Sequence, residues 1–369
     1  MEEYDCFNIP QFGFSKLMKD YLNNAENLKY FVTEFPSIEA FKSQFDLVDF
    51  PNEKRQILTS AIQKQYVKDG MESPSLALEL LKENTYTVTT GHQLTLFGGP
   101  KYFIHKIVSI MKLAEDLTAK FPDKTVLPIF WLATEDHDYE EINNLNLYGK
   151  KVKSQENASG PVGRLKPEVF ADTLIDFKEV IGTSKDALEL VSIFEEAFKK
   201  NDWAAATRSW VNSLFGDKLI IVDGDDAALK RLYSEKVKDE LLNLSSVKNI
   251  TTANEQLKDK GYHIQVEPRD INLFYIENGL RERIVKTQSG YAVLNTSLSF
   301  TETEMLALLE NEPEKISPNA ILRPLYEESI LPNLAYIGGP GELAYWLQLK
   351  SNFDFHHTAF PLLVLRDSF

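Results

Sequence analysis

The stretch from Tyr86 to Asp138 constrains the fold more than any other part of the chain. A β-branched run, Tyr86-Thr87-Val88-Thr89-Thr90, breaks at Gly91-His92-Gln93. A Gly98-Gly99-Pro100 turn and a long amphipathic run over 101–120 follow. An apolar run over 126–132 comes next and ends in Glu135-Asp136-His137-Asp138. By period these segments are strand, glycine-rich loop, helix, strand and acidic loop. Two strands joined by a helix of this length make a βαβ unit, whose crossover is nearly always right-handed. Both polar loops then leave the carboxyl ends of neighbouring parallel strands, where open α/β sheets bind ligands.

The rest of the chain is arranged around that unit. Residues 1–84 read as helical, with amphipathic runs at 14–21, 38–45 and 53–65 split by Pro36 and Pro51. A further helix through Leu81 is expected, with Ser73 as N-cap and Pro74 at its first position. These segments are expected to cover one face of the sheet, with residues 85–369 forming the core. After the acidic loop, residues of about 140–165 read as a hairpin or surface excursion, and 172–179, 184–199 and 203–214 as helices. The run 218–222 is a third parallel-type strand, continuously apolar and ending in Asp223, Asp225 and Asp226. A helix over 227–242 follows. Between 261 and 298 the period changes to two, over 263–266, 272–276, 282–285 and 291–294. Turns at Asn278-Gly279 and Ser289-Gly290 make this an antiparallel insertion. A helix over 301–309 leads to Ser317-Pro318-Asn319. The run 320–324 then reads as returning toward the sheet, which makes Arg323 a cation in an apolar, strand-like setting. Tyr336-Ile337-Gly338-Gly339-Pro340-Gly341-Glu342 repeats the Gly-Gly-Pro signal ahead of a helix over 343–350. A buried strand over 360–365 stands four residues from the last one, so a further C-terminal region is expected.

Charge and cysteine content narrow the function classes. With 369 residues and a formal charge of −15, the chain is no general binder of nucleic-acid backbones, which need clustered Lys and Arg. Any anionic substrate requires a local positive site. Cys6 is the single cysteine, so an internal disulfide framework and a multi-thiolate zinc site are excluded. A reducing compartment, the cytoplasm, fits this usage. No run approaches the roughly 20 apolar residues of a membrane helix, and the start is acidic, without the pattern of a signal peptide.

Three clusters carry candidate chemistry. Gly91, His92 and Gln93, with Gly98 and Gly99 before a helix, offer backbone N–H groups to a nucleotide or carboxylate; the alternative is a plain strand–helix turn. Neither the Walker pattern nor the dinucleotide G-x-G-x-x-G pattern is present. Glu135, Asp136 and Asp138 surround His137, an arrangement in which carboxylates raise an imidazole pKa and orient a general base. The alternative is a helix start with Thr134 as N-cap and acids in its first turn. A metal role wants a second histidine at helical spacing, and none exists. Tyr336, Gly338, Gly339, Gly341 and Glu342, beside Tyr345 and Trp346, offer a second backbone nest next to aromatic faces suited to a sugar or base. Trp131 is a further candidate face. An arginine such as Arg323 is usually paired with an acid or an anionic ligand. No Gly-x-Ser-x-Gly elbow supports a hydrolase triad.

Together these residues resemble the bacillithiol biosynthesis cysteine-adding enzyme family, BshC. The resemblance rests on Thr90-Gly91-His92-Gln93-Leu94 with Phe97-Gly98-Gly99-Pro100; on Phe130 through Asp138; on Ser317-Pro318-Asn319 with Leu322-Arg323-Pro324; and on Leu331-Pro332 with Ala335 through Glu342. These blocks span roughly residues 85 to 369. The resemblance implies an α/β fold with a Rossmann-like parallel sheet, akin to nucleotidyltransferases and class I synthetases, carrying insertions. It also implies addition of L-cysteine to glucosaminyl-malate as an amide. The sequence leaves the cofactor that activates the carboxylate unknown, ATP or another nucleotide being one option. The family continues into a C-terminal coiled coil that mediates homodimerisation, and this chain ends before it. Two features depart from pattern: the family often has Gln where His92 stands, and the lysine-rich activation loop of class I synthetases is not evident. Two other readings stay open, a nucleotidyltransferase acting on a sugar phosphate and a non-catalytic nucleotide- or sugar-binding protein.

Overall fold

The computed structural model describes residues 13–277 and 279–367. Cys6, the acidic start and Asn278 of the expected turn lie outside the described residues. In chain order the strands are β1 (Thr85–His92), β2 (Thr125–Leu132), β3 (Asn144–Leu147), β4 (Lys150–Lys153), β5 (Ile220–Asp223), β6 (Leu273–Glu277), β7 (Leu280–Thr287), β8 (Gly290–Val293), β9 (Ser299–Phe300), β10 (Ile316–Pro318), β11 (Asn333–Gly338) and β12 (Leu362–Leu365). A five-stranded sheet has the order β12-β11-β1-β2-β5, and every pairing in it is parallel. Counting only these five along the chain, the order is 5-4-1-2-3, so the winding reverses between β1 and β11. That is the topological switch point of a doubly wound sheet.

β1 and β11 are bound to each other by polar side chains as well as by backbone. β1 is rich in threonine, yet Thr85, Thr87, Thr89 and Thr90 are all fully buried. The hydroxyls of Thr87 and Thr89 donate to Asn333 Oδ1 at 3.2 and 2.9 Å, and Thr90 donates to the Ile337 carbonyl at 2.7 Å. A one-residue slip would strand these hydroxyls without partners, which pins the register at the switch point.

The helix Tyr102–Lys120 crosses from β1 to β2 and buries Phe103, Ile107, Ile110, Ala114 and Leu117, one helical face. Lys106 lies on that same face. The N-terminal helices Lys16–Leu22, Ile38–Leu47 and Asn52–Lys68 dock on the outer strands. Tyr21 donates to the Leu363 carbonyl in β12, and Gln65 to the Asp223 carbonyl in β5. The buried Arg55 guanidinium donates to the carbonyls of Phe50, Leu80, Glu83 and Thr85, which fixes where β1 begins. Among the described residues no helix is long and apolar enough to cross a membrane.

The second sheet is antiparallel, with order β10-β6-β7-β8-β9, and β3 and β4 form a separate hairpin. Several elements differ from the sequence reading. Residues 263–266 form no strand, because the N–H groups of Gln265 and Val266 donate to the Gln348 side chain instead of a ladder. β10 supplies the missing pairing to β6. The run 320–324 does not return as a strand. Asn319 Oδ1 caps Ile321 and Leu322, and Arg323 opens the helix Arg323–Ile330 with Pro324 in its first turn, where a missing N–H costs nothing. The segment after Pro74 is the 3-10 helix Ser75–Leu81 without a side-chain cap. The helix expected over 227–242 is split into Ala227–Arg231 and Ser234–Asn243. That expected over 343–350 is split into Pro340–Trp346 and Lys350–Phe355.

Candidate active site

A cavity of about 390 Å³ opens at the switch point. Its wall includes Gly91, His92 and Gln93 from the end of β1, Trp131 from β2, Asp136 from the acidic loop, and Arg323 and Glu327 from one helix face. Tyr336, Glu342, Tyr345 and Trp346 complete it from β11 and the following helix. Lys106 reaches in from the crossover helix. The loops after β1, β2 and β11 therefore meet at one place, as parallel strands with a winding reversal require.

An ion pair with a buried cation closes one side. Lys106 Nζ lies 2.7 Å from Glu342 Oε1 and 2.8 Å from the Gly91 carbonyl. Glu342 also accepts from the Gly339 N–H at 2.8 Å and from the Tyr336 hydroxyl at 2.9 Å. Burial opposes its ionisation, but Lys106 outweighs that and holds the carboxyl below its ordinary range. The imidazole of His92 donates through Nδ1 to the Gln93 carbonyl at 3.0 Å, since a carbonyl can only accept. Burial, helped by Lys106, pushes the His92 pKa down to about 4, so the ring is neutral at physiological pH.

The acidic loop is divided among four tasks. Asp136 alone of its acids faces the cavity. One carboxylate oxygen accepts from Gln93 Nε2 at 2.9 Å and Arg323 Nη2 at 3.1 Å; the other accepts from the N–H groups of His137 and Asp138. Burial would raise its pKa, yet Arg323 foremost, with Gln93, holds it well below the usual carboxylate range. Asp136 is thus a fixed anion that positions Gln93 and Arg323. Glu135 turns away into a buried pair with Lys230 at 2.5 Å. Asp138, not Thr134, caps the short helix Tyr139–Ile142 through its bond from the Glu141 N–H. His137 projects into a neighbouring cavity.

The glycines act differently from the expected anion nests. Gly98, at φ +68°, leaves room for Trp210, and Gly99 for Leu145; a Cβ at either would collide with those side chains. Neither lines the cavity. Gly339 spends its N–H on Glu342, and Gly338 and Gly341 serve the strand end and helix start without reaching the cavity wall. The aromatic candidates do line it. Trp346 stacks on Tyr336 with ring centroids 4.5 Å apart, and Trp131 packs edge-on to Tyr326 at 5.5 Å, so each already has a protein partner.

The neighbouring cavity, also about 390 Å³, shares Asp136, Ala320 and Arg323 with the first. Arg269, Arg281 and Arg283 line it as well. Arg281 is 5% exposed, and its guanidinium carbon sits over the Phe274 ring, 4.0 Å from the centroid. It donates to Ser317 Oγ, the Pro318 carbonyl and His137 Nδ1. Among the described residues no carboxylate comes within ion-pair distance of Arg269, Arg281 or Arg283. Burial, then the nearby Arg323, pulls the Arg281 pKa down to about 10. Asp136 and Glu135 act the other way from beyond ion-pair distance, which leaves the guanidinium able to take an anionic ligand.

Sequence reasoning missed Lys106, Glu327 and the three arginines. Lys106 was detectable as a cation on an otherwise apolar helix face. The others become neighbours only through the second sheet and the helix at Arg323.

The bond to His137 decides the state of that ring. Arginine donates only, so Nδ1 is an acceptor and the neutral ring carries its proton on Nε2. Burial, then Arg281, lowers the His137 pKa, outweighing Asp136 and Asp138. This reverses the expectation of a carboxylate-raised base: gaining a proton would break the Arg281 bond and set two cations together. His137→Gln is therefore expected to cost less than about tenfold in turnover, below the ~10²-fold typical of a lost general base. A steady-state pH–rate profile checks this, and loss of its ionisation limb in the variant would restore His137 as the base.

A doubly wound α/β sheet, with its pocket at the switch point and basic groups from inserted elements around it, defines a Rossmann-like protein of the ligand-binding kind. The sequence comparisons narrow this class. The model of the family "Bacillithiol biosynthesis BshC, N-terminal Rossmann-like domain" matches residues 2–367, and the chain belongs to that family. A Flavobacterium johnsoniae protein named "Putative cysteine ligase BshC" is 47% identical over 371 residues, 99% of this chain and 70% of its own length. A Flavobacterium psychrophilum protein of the same name is also 47% identical over 99% of this chain. One from Staphylococcus haemolyticus is 29% identical over 86% of this chain and 62% of its own length.

Proposed function

We propose that the protein is a carbon–nitrogen ligase that joins the carboxylate of L-cysteine to the amine of glucosaminyl-malate, a step in making a low-molecular-weight thiol. The names of its relatives support a cysteine ligase; the acceptor follows from the family resemblance. The observation that carries the reading is the pair of adjoining cavities. One is lined by Arg269, Arg281, Arg283 and Arg323 against Asp136 and Glu267, a surplus of cations suited to the carboxylates of malate. The other holds the fixed Asp136, the Lys106–Glu342 pair and Glu327, suited to the reacting amine and carboxylate. Amide formation needs an activated carboxylate and a deprotonated amine. An activating nucleotide, ATP or another, belongs to this reading.

The test is direct. Purified protein with L-cysteine, glucosaminyl-malate and ATP is expected to yield a product whose mass equals both substrates less one water, and to need both. Cells lacking the gene, with no second copy, are expected to lose the cysteine-bearing thiol. Its persistence in such cells would end the ligase reading, whereas nucleotide transfer to a sugar phosphate would favour the nucleotidyltransferase.

A further inference from the structure

The helix Arg323–Ile330 satisfies its polar side chains with one exception. Arg323 pairs with Asp136, the Tyr326 hydroxyl donates to the Gly224 carbonyl, Glu328 accepts from Asn333 Nδ2, and Ser329 donates to the Leu325 carbonyl. Glu327 has no such partner. It is 4% exposed, its Oε1 is fully buried without a hydrogen-bond partner, and it lines the first cavity one helical turn after Arg323. An unpartnered buried carboxyl costs stability and is rare in a settled core, where Glu328 beside it shows the usual solution. Both acids are buried, but only Glu327 opens on the cavity.

We infer that Glu327 receives the amine of the acceptor substrate and takes its proton as the amide forms. This rests on the ligase reading for the identity of the acceptor. An ammonium group supplies what the site lacks, a cation with several N–H donors. Burial foremost, then Glu342, raises the Glu327 pKa to about 8, while Arg323 and Lys106 pull the other way. His92, Asp136 and Glu141 also face the cavity, and of these Asp136 is already neutralised by Arg323. A group titrating near neutral pH is well matched to accept a proton from an amine.

The sequence of events balances. In the free protein at pH 7 Glu327 is mostly the neutral acid; docking of the ammonium expels its proton to solvent and leaves an ammonium–carboxylate pair. One proton then passes from nitrogen to Glu327, freeing the lone pair. The nitrogen bonds to the carbonyl carbon of a cysteine acyl phosphate or acyl adenylate, and the carbon–oxygen bond to phosphate breaks. The second proton on nitrogen leaves with the phosphate oxygen.

Calorimetry of glucosaminyl-malate binding, in buffers of different ionisation heat at pH 7, reads the first event without requiring turnover. Wild-type full-length protein is expected to release a substantial fraction of one proton as the ammonium form docks. Glu327→Gln, which mimics the neutral acid in shape, is expected to bind at least about tenfold more weakly and release none. In the ligase assay its kcat is expected to fall about 100-fold with its pH limb lost, and Glu327→Asp to recover part of both. An unchanged melting temperature excludes misfolding as the cause. Equal affinity and equal proton release in wild type and Glu327→Gln would overturn the assignment, as would a wild type that releases none. Proton release by wild type that forms no amide would support the amine contact while refuting the ligase reading.

Discussion

Lys106→Met is expected to destabilise the protein by about 1–3 kcal/mol, less than breaking a fully buried ion pair costs, because the Glu342 side chain is 31% exposed. Lys106 is 3% exposed, and methionine fills similar volume, so lost packing contributes little. What is lost is the cation that lets Glu342 stay ionised. The Gly339 N–H and Tyr336 hydroxyl remain as donors, but neither brings a charge. The sign of the pH dependence follows. In the wild type Glu342 sits below its ordinary pKa, so its contribution is present above the unfolded value and is lost as pH falls through the folded one. Without Lys106 that depression shrinks, so the variant loses less stability than the wild type as pH falls and Glu342 protonates. Urea denaturation at pH 8 and pH 5 measures both effects. Lys106→Met with Glu342→Gln is expected to recover most of the loss, because replacing both charges removes the uncompensated one. A single variant as stable as wild type at pH 8 would show that the pair is not closed in solution.

If the proposed substrates are the true ones, Arg281→Met is expected to raise the KM for the malate-bearing acceptor roughly 300-fold while leaving the KM for cysteine within about threefold. Truncating one member of a buried, hydrogen-bonded charge pair costs about 2–5 kcal/mol in binding. Arg281 meets the conditions for such a cost: burial, a planar fork fixed by Ser317 and Pro318, and Phe274 beneath it. The free protein is expected to respond differently. Removing an unpaired buried cation relieves the desolvation of that charge while losing three hydrogen bonds, so melting temperature should move little. The separation of a large binding defect from a small stability change is the result to look for. Equal loss of affinity for both substrates, or none for the acceptor, would remove the arginine cavity from the acceptor's site.

Local periodicity made the first part of this architecture legible. The β-branched run of β1, the apolar run of β2 and the amphipathic segment between them each declare their own structure within a few residues. A parallel pair joined by a helix leaves little freedom in topology. The antiparallel insertion was legible for the same reason in β6, β7 and β8, but not at 263–266. There two N–H groups find the side chain of Gln348, some 80 residues away in sequence, and no local pattern announces such a partner. Arg323 was visible as a candidate because an arginine between Leu322 and Pro324 is unusual. Its setting was not, since Leu-Arg-Pro suits a strand as well as a first helical turn until Asn319 caps it.

The sequence by itself therefore determined which loops leave the carboxyl ends of the core strands, and so where a ligand would meet the sheet. Glycine and charge patterns drew attention to Gly98, Gly99, Glu135 and Asp138, but the same residue types serve tight packing, ion pairing and helix capping equally well. Which use applies depends on what lies across the gap: Trp210 and Leu145 for the glycines, Lys230 for Glu135, the Glu141 N–H for Asp138. Only the tertiary structure could decide that. The electrostatic character of the site was also settled there. Lys106, Arg281 and Glu327 owe their altered ionisation first to burial, a property set by every neighbour at once and by none of the residues adjacent in sequence.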